Sequence, residues 1–389
     1  MSRYLGLIVK ATRLCNLRCS YCHDWRSGPN QTMGFPVLAH LTARALGDPE
    51  HGAVEFIWHG GEPAVLPRAF YERAVYLQAR LRRPGQLIRN SLQTNGTRID
   101  AEWARFFRDF DFRVSVSLDG PPAVHDRYRR YANGRPSFDD VRRGIDTLRA
   151  NEVPVSVLMV IDEGAIELGP DPIFDFFLSE GITNYGLLAA KPTNRPDAAP
   201  GTPTEHYVTV AQMTRFLTAY FDRWLAHGDP EIHVREFDGL LSRLASRPST
   251  VCTLAGHCLG RYYLVEPTGE VAHCDLFIGD PAYTVGNVLS GSFASFRDGP
   301  ALTALRSAED RAQVGMSGCP EYVTCNGWCP HERYTAFRHD PAFTGECCGL
   351  RDLIAHMRRR LAETGAAESG AGLPAGPAPR GQFVDMTSI

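Results

Sequence analysis

Short apolar runs rich in β-branched residues alternate with stretches of helical periodicity in the first half of the chain. Strands that alternate with helices form a parallel sheet, so six such units predict an α/β fold, a partial (β/α)6 TIM-like barrel that stays open. In barrels of this kind the functional residues lie at the C-terminal ends of the strands. The predicted strands are Tyr4–Lys10, Val54–Trp58, Gln86–Leu92, Phe112–Leu118, Val153–Val160 and Asn184–Ala189. The predicted helices are Phe35–Leu46, Pro67–Arg82, Ala101–Phe110, Ser137–Ala150 and Pro172–Leu178.

The pattern changes after the sixth predicted strand. Residues 191–203 are rich in Pro, Asn, Asp and Thr and predict a loop, and two amphipathic stretches at 208–226 and 236–245 predict helices. Near the C-terminus, residues 365–381 consist mainly of Gly, Ala, Pro and Ser, a composition that predicts a flexible segment. We therefore expect five parts: a barrel at 1–203, a helical connector at 204–250, a cysteine-rich domain at 251–349, a C-terminal helix at 350–362 and a flexible tail at 363–389.

Composition and charge exclude several classes of function. The formal net charge is −3, which gives no indication of a nucleic-acid partner. No apolar stretch approaches the about 20 residues needed to cross a bilayer, and the N-terminus lacks the apolar core of a signal peptide. We therefore expect a cytoplasmic protein without a membrane partner, whose cysteines are reduced. It has 11 cysteines in two groups with none between Cys22 and Cys252, which favours two metal-binding regions.

The first cysteine group follows the first predicted strand directly. Cys15, Cys19 and Cys22 have the spacing C-x3-C-x2-C. Three thiolates on one tight loop bind three corners of a [4Fe-4S] cluster and leave the fourth iron open to a small molecule. Tyr21, beside the last cysteine, is placed to pack against that molecule. Half of a zinc site or a redox pair is the alternative interpretation of the motif alone.

Polar, turn-forming segments follow the next three predicted strands. They comprise residues 59–63 (His-Gly-Gly-Glu-Pro), 93–97 (Gln-Thr-Asn-Gly-Thr) and 117–121 (Ser-Leu-Asp-Gly-Pro), the last followed by residues 125–129 (His-Asp-Arg-Tyr-Arg). Two glycines allow the backbone to approach a ligand closely, although a plain tight turn is a commoner meaning of Gly-Gly. Their positions predict a ligand site at the C-terminal edge of the sheet.

In the order and spacing of these segments, about the first 190 residues resemble the radical S-adenosylmethionine (SAM) enzymes. The resemblance implies that the open iron binds the amino and carboxylate groups of SAM, and that an electron cleaves SAM to a 5′-deoxyadenosyl radical. It implies that the Gly-Gly-Glu-Pro segment holds the methionine amino group and that the other strand ends hold ribose and carboxylate. For Arg129 a surface arginine is the alternative. The implied SAM-binding residues are Tyr21, Gly60, Gly61, Glu62, Pro63, Thr94, Asn95, Ser117 and Arg129.

The second cysteine group has eight members around a predicted β-hairpin at 262–271. Parts of the spacing also suit zinc. Behind a radical SAM half, however, the group resembles the SPASM extension of peptide-modifying enzymes, which binds two auxiliary [4Fe-4S] clusters. The resemblance implies that Cys252, Cys258, Cys274 and Cys329 hold the first cluster and that Cys319, Cys325 and Cys347 belong to the second.

One position departs from the SPASM pattern. Met316 stands where that pattern has a cysteine, and a thioether is a poor ligand for such a cluster. Cys348 is a possible substitute, although two adjacent cysteines bind one cluster only with contortion of the backbone. Otherwise the second cluster has an open iron or is absent. We therefore expect one or two auxiliary clusters.

Asp275, directly after Cys274, is the candidate catalytic residue. In the anaerobic sulfatase maturases, which the chain also resembles, an aspartate at this place is the base that deprotonates the substrate. An aspartate that caps a turn is the alternative. We expect the substrate to be a ribosomally made precursor peptide, modified by a cyclophane or thioether cross-link, with formylglycine formation on a Cys or Ser as the alternative. The expected electron donor is a reductant such as flavodoxin or ferredoxin. The rival from another class is a non-catalytic, zinc-rich scaffold.

Overall fold

The computed structural model describes residues 3–22, 31–192, 194, 204–249, 251–256 and 258–363, and every structural statement below concerns these residues. The tail expected at 363–389 therefore lies outside the described residues except for its first position, as does much of the loop expected at 191–203. The strands are β1 (Arg3–Thr12), β2 (His51–Gly60), β3 (Leu87–Thr94), β4 (Phe112–Ser117), β5 (Val155–Ile161), β6 (Asn184–Ala189), β7 (His233–Val234), β8 (Tyr262–Val265), β9 (Glu270–His273) and β10 (Thr284–Asn287). The helices are α1 (Phe35–Gly47), α2 (Arg68–Leu81), α3 (Ala101–Asp109), α4 (Pro122–Tyr128), α5 (Phe138–Ala150), α6 (Glu163–Leu168), α7 (Pro170–Ser179), α8 (Val210–His227), α9 (Arg235–Leu244), α10 (Phe293–Arg297), α11 (Pro300–Met316), α12 (Tyr322–Cys325), α13 (Pro330–His339) and α14 (Arg351–Glu363).

All ten strands belong to one sheet, in the order β10-β9-β8-β1-β2-β3-β4-β5-β6-β7. Strands β1 to β6 pair in parallel with their neighbours in the chain, which confirms the predicted partial barrel. The short β7 extends the sheet at one side. On the other side β8 pairs in parallel with β1, and β9 and β10 follow in antiparallel order. The predicted hairpin is thus formed by β8 and β9, and it continues the sheet of the barrel.

The strands of the barrel present an apolar face to the helices and a partly polar face to the interior. On β2, Trp58 packs edge-on against Tyr71 of α2, with ring centroids 5.4 Å apart. Glu55, an odd number of residues away on the same strand, therefore points to the opposite face. There its carboxylate accepts hydrogen bonds from the Tyr4 hydroxyl at 2.6 Å and the Ser91 hydroxyl at 2.5 Å. The interior thus contains fixed polar groups carried by β1, β2 and β3.

The cysteine-rich region is built directly onto the barrel. Leu264 of β8 packs with Ile8 of β1. Gly6 of β1 leaves room for the ring of Tyr262, since an ideal Cβ at Gly6 would lie 2.6 Å from that ring. The long helix α11 and the helix α13 were not among the predicted elements. None of the described helices is both long and apolar enough to cross a membrane.

Candidate active site

The loop after β1 holds the first cysteine group. Leu17 N points at the Sγ atom of Cys15, 3.4 Å away, and Asn95 Nδ2 lies 3.8 Å from the same sulfur. Burial raises the pKa values of Cys15 and Cys19 to about 12. These thiols therefore keep their protons at neutral pH until a cation replaces them. Three thiols on one short loop, with polar groups directed at a sulfur, fit an iron–sulfur cluster.

The two glycines after β2 pack against this loop. Gly60 has a φ of +115°, a backbone conformation that suits glycine, and an ideal Cβ there would lie 2.4 Å from Thr12 O. At Gly61 the same atom would lie 2.2 Å from Leu14 O. Gly61 N donates to Thr12 O at 2.9 Å. In the described residues, the close approach that requires these glycines is therefore to the backbone of the cysteine loop.

Glu62 and Pro63 connect the ends of neighbouring strands. The Glu62 carboxylate accepts from the Thr94 hydroxyl at 2.6 Å and from Asn95 N at 2.6 Å. Burial raises the pKa of Glu62, and these hydrogen bonds oppose the rise. Pro63 O accepts from the Tyr71 hydroxyl at 2.9 Å. The side chains of Glu62 and Thr94 thus join the end of β2 to the end of β3.

Asp119 is a buried carboxylate at the end of β4 that three groups approach. It accepts hydrogen bonds from Arg129 Nε at 2.6 Å, from Val160 N at 2.9 Å and from the Tyr21 hydroxyl. Arg129 is only 8% exposed, so its alternative interpretation as a surface arginine is wrong. The guanidinium also lies over the Tyr21 ring, 5.4 Å from its centroid. Tyr21 therefore ties the cysteine loop to the end of β4.

His125 holds the backbone of Asp119 through a hydrogen bond. Asp119 N donates to His125 Nδ1 at 3.2 Å, and His125 Nε2 lies 3.1 Å from the Ser137 hydroxyl. That hydroxyl donates its one proton to Arg129 O at 2.7 Å, so His125 Nε2 is the donor to Ser137. Burial lowers the pKa of His125 to about 4, which agrees with this neutral tautomer.

The implied SAM-binding residues therefore gather at the C-terminal edge of the barrel. Ser117 is the last residue of β4, and its hydroxyl accepts a hydrogen bond from Gln93 Nε2 of β3 at 2.9 Å. This edge also carries the cysteine loop, because β1 runs parallel to β2, β3 and β4 and ends on the same side. Thiols, carboxylates and hydroxyls are thereby brought together from residues far apart in the chain. The donor set fits a cluster-bound SAM.

Asp162 gives this edge a pH-dependent stability. It caps α6 by accepting from Ala165 N at 2.9 Å, and burial together with the nearby Asp119 raises its pKa to about 7. A carboxyl with a raised folded-state pKa stabilises the fold fully only below the pKa of an unfolded aspartate, 3.8, and this contribution is lost progressively as the pH rises from there through about 7. We expect Asp162→Asn, which keeps a capping oxygen, to raise the thermal midpoint at pH 8 and to raise it clearly less at pH 5.5. Anaerobic thermal unfolding at both pH values measures this, and equal shifts would contradict it.

The four cysteines expected to hold the first auxiliary cluster lie near one another. Cys252 lies in a short 3-10 turn, Cys258 precedes β8, Cys274 follows β9, and Cys329 directly precedes α13. Each of these thiols is close enough to others of the group to perturb their pKa values, and burial raises that of Cys329 to about 12. The Cys274 thiol donates to Asp275 Oδ1 at 3.7 Å. The donor set of four thiols fits an iron–sulfur cluster, with Asp275 at its margin.

Cys274 has an unusual backbone conformation. Its φ is +58°, in the left-handed region, which costs a residue with a side chain about 1–3 kcal/mol. The turn that follows is held from the barrel side by Asn194, whose Nδ2 donates to Leu276 O at 2.6 Å and to Ile278 O at 2.9 Å. The structure therefore fixes the direction of the Cys274–Asp275 turn.

A second group of thiols lies at the start of α14. The sulfurs of Cys319 and Cys347 are 3.8 Å apart, and the Cys348 thiol is within hydrogen-bonding reach of both Cys325 and Cys347. Across the described ranges, no three His, Cys, Asp or Glu side chains are arranged to bind a single metal ion.

A buried ion pair connects the two cysteine regions. Arg13, in the cysteine loop, binds the Glu266 carboxylate through two nitrogens, with Nε–Oε2 at 3.0 Å and Nη2–Oε1 at 2.5 Å. The two side chains are only 7% and 11% exposed. Glu266 directly follows β8, so this pair fixes the cysteine loop relative to the hairpin that leads to Cys274.

Comparisons with known proteins agree with this architecture. Residues 9–165 match the family model of the Radical SAM superfamily. A serine-type anaerobic sulfatase-maturating enzyme of Bacteroides thetaiotaomicron is 28% identical over 88% of this chain and 87% of its own. A cysteine-type enzyme of Clostridium perfringens is 29% identical over 92% of this chain and 97% of its own.

Solved structures agree as well. The structure of native anSMEcpe with bound AdoMet and the Cp18Cys peptide matches with a TM-score of 0.82 and 25% identity, over 93% of this chain and 99% of that one. Streptococcus suis SuiB bound to its precursor peptide SuiA matches with a TM-score of 0.57 at 14% identity, over 87% of this chain and 76% of that one, a likeness of fold alone. Residues 9–165 therefore carry a radical SAM domain. Over most of its length the chain is similar to the anaerobic sulfatase-maturating enzymes.

This relationship decides between two of the expectations from sequence. The non-catalytic scaffold is wrong, because the family model and the relatives are those of enzymes. The peptide cross-link stays a prediction, and the sulfatase-maturase alternative agrees better with the relatives. Sequence reasoning missed Asp119, His125 and the Arg13–Glu266 pair as parts of the site. The Ser-Leu-Asp-Gly segment indicates a ligand contact by its position, but nothing in it marks Asp119 as a partner of Arg129, and nothing local marks the partner of Arg13.

Proposed function

We propose that the protein uses SAM to oxidise a Cys or Ser side chain of a peptide or protein to an aldehyde, which makes the residue formylglycine. The position of Asp275 carries this proposal: it directly follows Cys274 of the first auxiliary group, and its carboxylate contacts that thiol. The names of the relatives support the same reaction, and so does the presence of both AdoMet and a peptide in the structure with the higher TM-score.

The chain's own residues have separate tasks in this reaction. When bound, the cluster at the first cysteine group and SAM supply a 5′-deoxyadenosyl radical that removes one hydrogen atom from the substrate carbon. Gly60–Pro63, Thr94, Asn95, Ser117 and Arg129 hold SAM at the edge of the barrel. Asp275 accepts a proton from the substrate. The cysteines of the auxiliary group hold the acceptor of the remaining electron.

The atoms and electrons balance in this scheme. A serine CH2–OH loses one hydrogen atom to the radical, which becomes 5′-deoxyadenosine, and then one proton to Asp275 and one electron to the auxiliary group. The carbon–oxygen double bond of the aldehyde forms in this second step. A cysteine passes through a thioaldehyde, and water then replaces the sulfur, which leaves as hydrogen sulfide. One electron enters to cleave SAM and one electron leaves the substrate, so the two electrons balance.

Three peptides that differ at one position test the proposal. Peptides with Cys, Ser or Ala at the target position are incubated anaerobically with the reconstituted protein, SAM and a strong reductant. We expect 5′-deoxyadenosine with the Cys or the Ser peptide, together with a product that reacts with a hydrazide probe for aldehydes. The Ala peptide is the matched control. Release of 5′-deoxyadenosine with unmodified or hydrazide-negative Cys and Ser peptides would contradict formylglycine formation while leaving the radical chemistry intact.

Replacing Asp275 separates SAM cleavage from product formation. We expect Asp275→Asn to reduce aldehyde formation by about 100- to 10,000-fold, the usual contribution of a general base, while 5′-deoxyadenosine release continues. Glu270→Gln on the same hairpin is the control, because that side chain is exposed and its replacement should leave both products unchanged. Equal losses of nucleoside and aldehyde in Asp275→Asn would assign Asp275 to SAM binding or folding instead of proton transfer.

A cross-link on a precursor peptide is the second candidate. The presence of Met316 in place of a cysteine favours it, since the second auxiliary site thereby departs from the pattern that the chain otherwise follows. A cross-link also removes two hydrogen atoms, but its product does not react with a hydrazide. The same assay on a peptide encoded beside the gene therefore distinguishes the two outcomes. For either reaction we propose a flavodoxin or ferredoxin as the electron donor. We also propose that the chain divides into the five parts predicted from the sequence, with boundaries at residues 203, 250, 349 and 362.

A further inference from the structure

We propose that the second auxiliary cysteine group binds an iron–sulfur cluster through Cys319, Cys325, Cys347 and Cys348, with Cys348 in place of a ligand at position 316. This inference concerns the metal content of the chain and does not depend on which substrate the enzyme oxidises. It rests on three observations: the direction of Met316, the convergence of the four thiols, and the backbone around the adjacent pair.

Met316 belongs to a different cluster of side chains. It is 1% exposed, and its sulfur lies 3.8 Å from Arg333 Nη1. The same guanidinium binds the Glu309 carboxylate with both Nη2 contacts at 2.5 Å and donates to Gly327 O at 2.7 Å. The Met316 methyl fills the space beside Gly327, where an ideal Cβ would lie 3.0 Å from it. A thioether packed against a buried cation is neither chemically suited nor directed to bind a cluster.

The four thiols converge as a connected set. The Cys347 sulfur is 3.8 Å from that of Cys319, and Cys348 lies within hydrogen-bonding reach of Cys347 and Cys325. Cys348 and Cys325 are each 2% exposed, so both thiols are buried within this group. Each sulfur meets a backbone N–H two residues further on, an interaction that stabilises a thiolate. Such amide–sulfur contacts also tune iron–sulfur clusters.

Two glycines allow adjacent cysteines to serve the same site. Gly345 and Gly349 flank the pair, with φ values of +82° and +96°. In these conformations the chain turns before and after the pair, so that Gly349 N reaches Cys347 Sγ at 3.3 Å and Leu350 N reaches Cys348 Sγ at 3.5 Å. An ideal Cβ at Gly349 would lie 2.1 Å from a methyl of Val210, so α8 also requires glycine there. These turns bend the backbone in the way that two adjacent cysteines need in order to bind one cluster.

Iron and sulfide content of the anaerobically reconstituted full-length protein tests the inference. Three four-iron clusters give about 12 iron and 12 sulfide per chain. We expect Cys348→Ser to lose about one third of both, and Met316→Leu, the matched control of similar shape, to retain the full content. Wild-type protein with no more than two clusters, unchanged iron in Cys348→Ser, or an equal loss in Met316→Leu would each overturn the proposal.

A measurement on the unaltered protein avoids the risk that Cys348→Ser does not fold. The protein is treated with a thiol alkylating reagent before and after an iron chelator has removed its clusters, and the modified cysteines are identified by mass spectrometry. We expect Cys348 to become reactive together with Cys319, Cys325 and Cys347, as the iron of the third cluster is lost. Modification of Cys348 in protein that retains all its iron would overturn the assignment.

Discussion

Replacement of Cys15, Cys19 and Cys22 by alanine is expected to abolish 5′-deoxyadenosine release from SAM. These three thiols are the only cysteines that the chain places on the loop after β1, where Asn95 and the Asp119–Arg129 pair also converge. Without them no thiolate binds iron at the edge of the barrel, so the electron needed to cleave SAM has no route to it. We expect activity to fall below detection and iron to fall by about four atoms per chain.

A matched triple variant controls for general loss of metal. The control variant carries Cys319→Ala, Cys325→Ala and Cys347→Ala together. It also loses iron, but its loop after β1 is unchanged. We therefore expect this variant to keep releasing the nucleoside. The two proteins are compared by chromatography of the nucleoside, with iron content measured on the same samples. Nucleoside release by the first triple variant, once it is shown to lack that iron, would contradict the assignment of the SAM site.

Replacement of Glu266 by alanine is expected to cause a large loss of stability. It leaves the Arg13 guanidinium buried, with its side chain only 7% exposed, and without the carboxylate that it binds through two nitrogens. Removing one partner of a buried ion pair costs about 3–5 kcal/mol. Because Arg13 lies two residues before Cys15, we also expect slower reconstitution of the first cluster.

An exposed ion pair provides the comparison. Arg127 and Glu167 form a bond of 2.7 Å, but their side chains are 41% and 65% exposed. Loss of such a pair costs little because water solvates the remaining charge. Glu167→Ala should therefore shift the anaerobic thermal midpoint several-fold less than Glu266→Ala. Shifts of equal size would show that the Arg13–Glu266 pair contributes no more than a surface contact.

The predictions that succeeded depend on local patterns. The six strands of the barrel follow from apolar runs of a few residues, and their parallel order follows from the helices between them. The site at the strand ends follows from the same topology, because parallel strands end on one side. The spacing of Cys15, Cys19 and Cys22 is likewise a property of eight consecutive residues. In each case neighbours in the chain carry the signal.

Other features depend on contacts between distant residues. The hairpin is predicted in a separate domain, but β8 pairs with β1 and extends the same sheet, a contact between residues more than 250 positions apart. The glycines at 60 and 61 predict a ligand contact, and the structure shows their approach to the backbone at Thr12 and Leu14. No local pattern distinguishes these alternatives, since glycine permits either.

The sequence by itself determined the class of chemistry, that of radical SAM proteins. Metal ligation requires particular side chains at particular spacings, and both can be read directly from the sequence. Only the tertiary structure decided how those side chains are supported. It showed that Arg13 binds Glu266, that Arg129 is buried against Asp119, and that Met316 and Cys348 lie in different surroundings. The physical reason is that burial and pairing of a charged or sulfur-containing side chain depend on which distant segments pack around it.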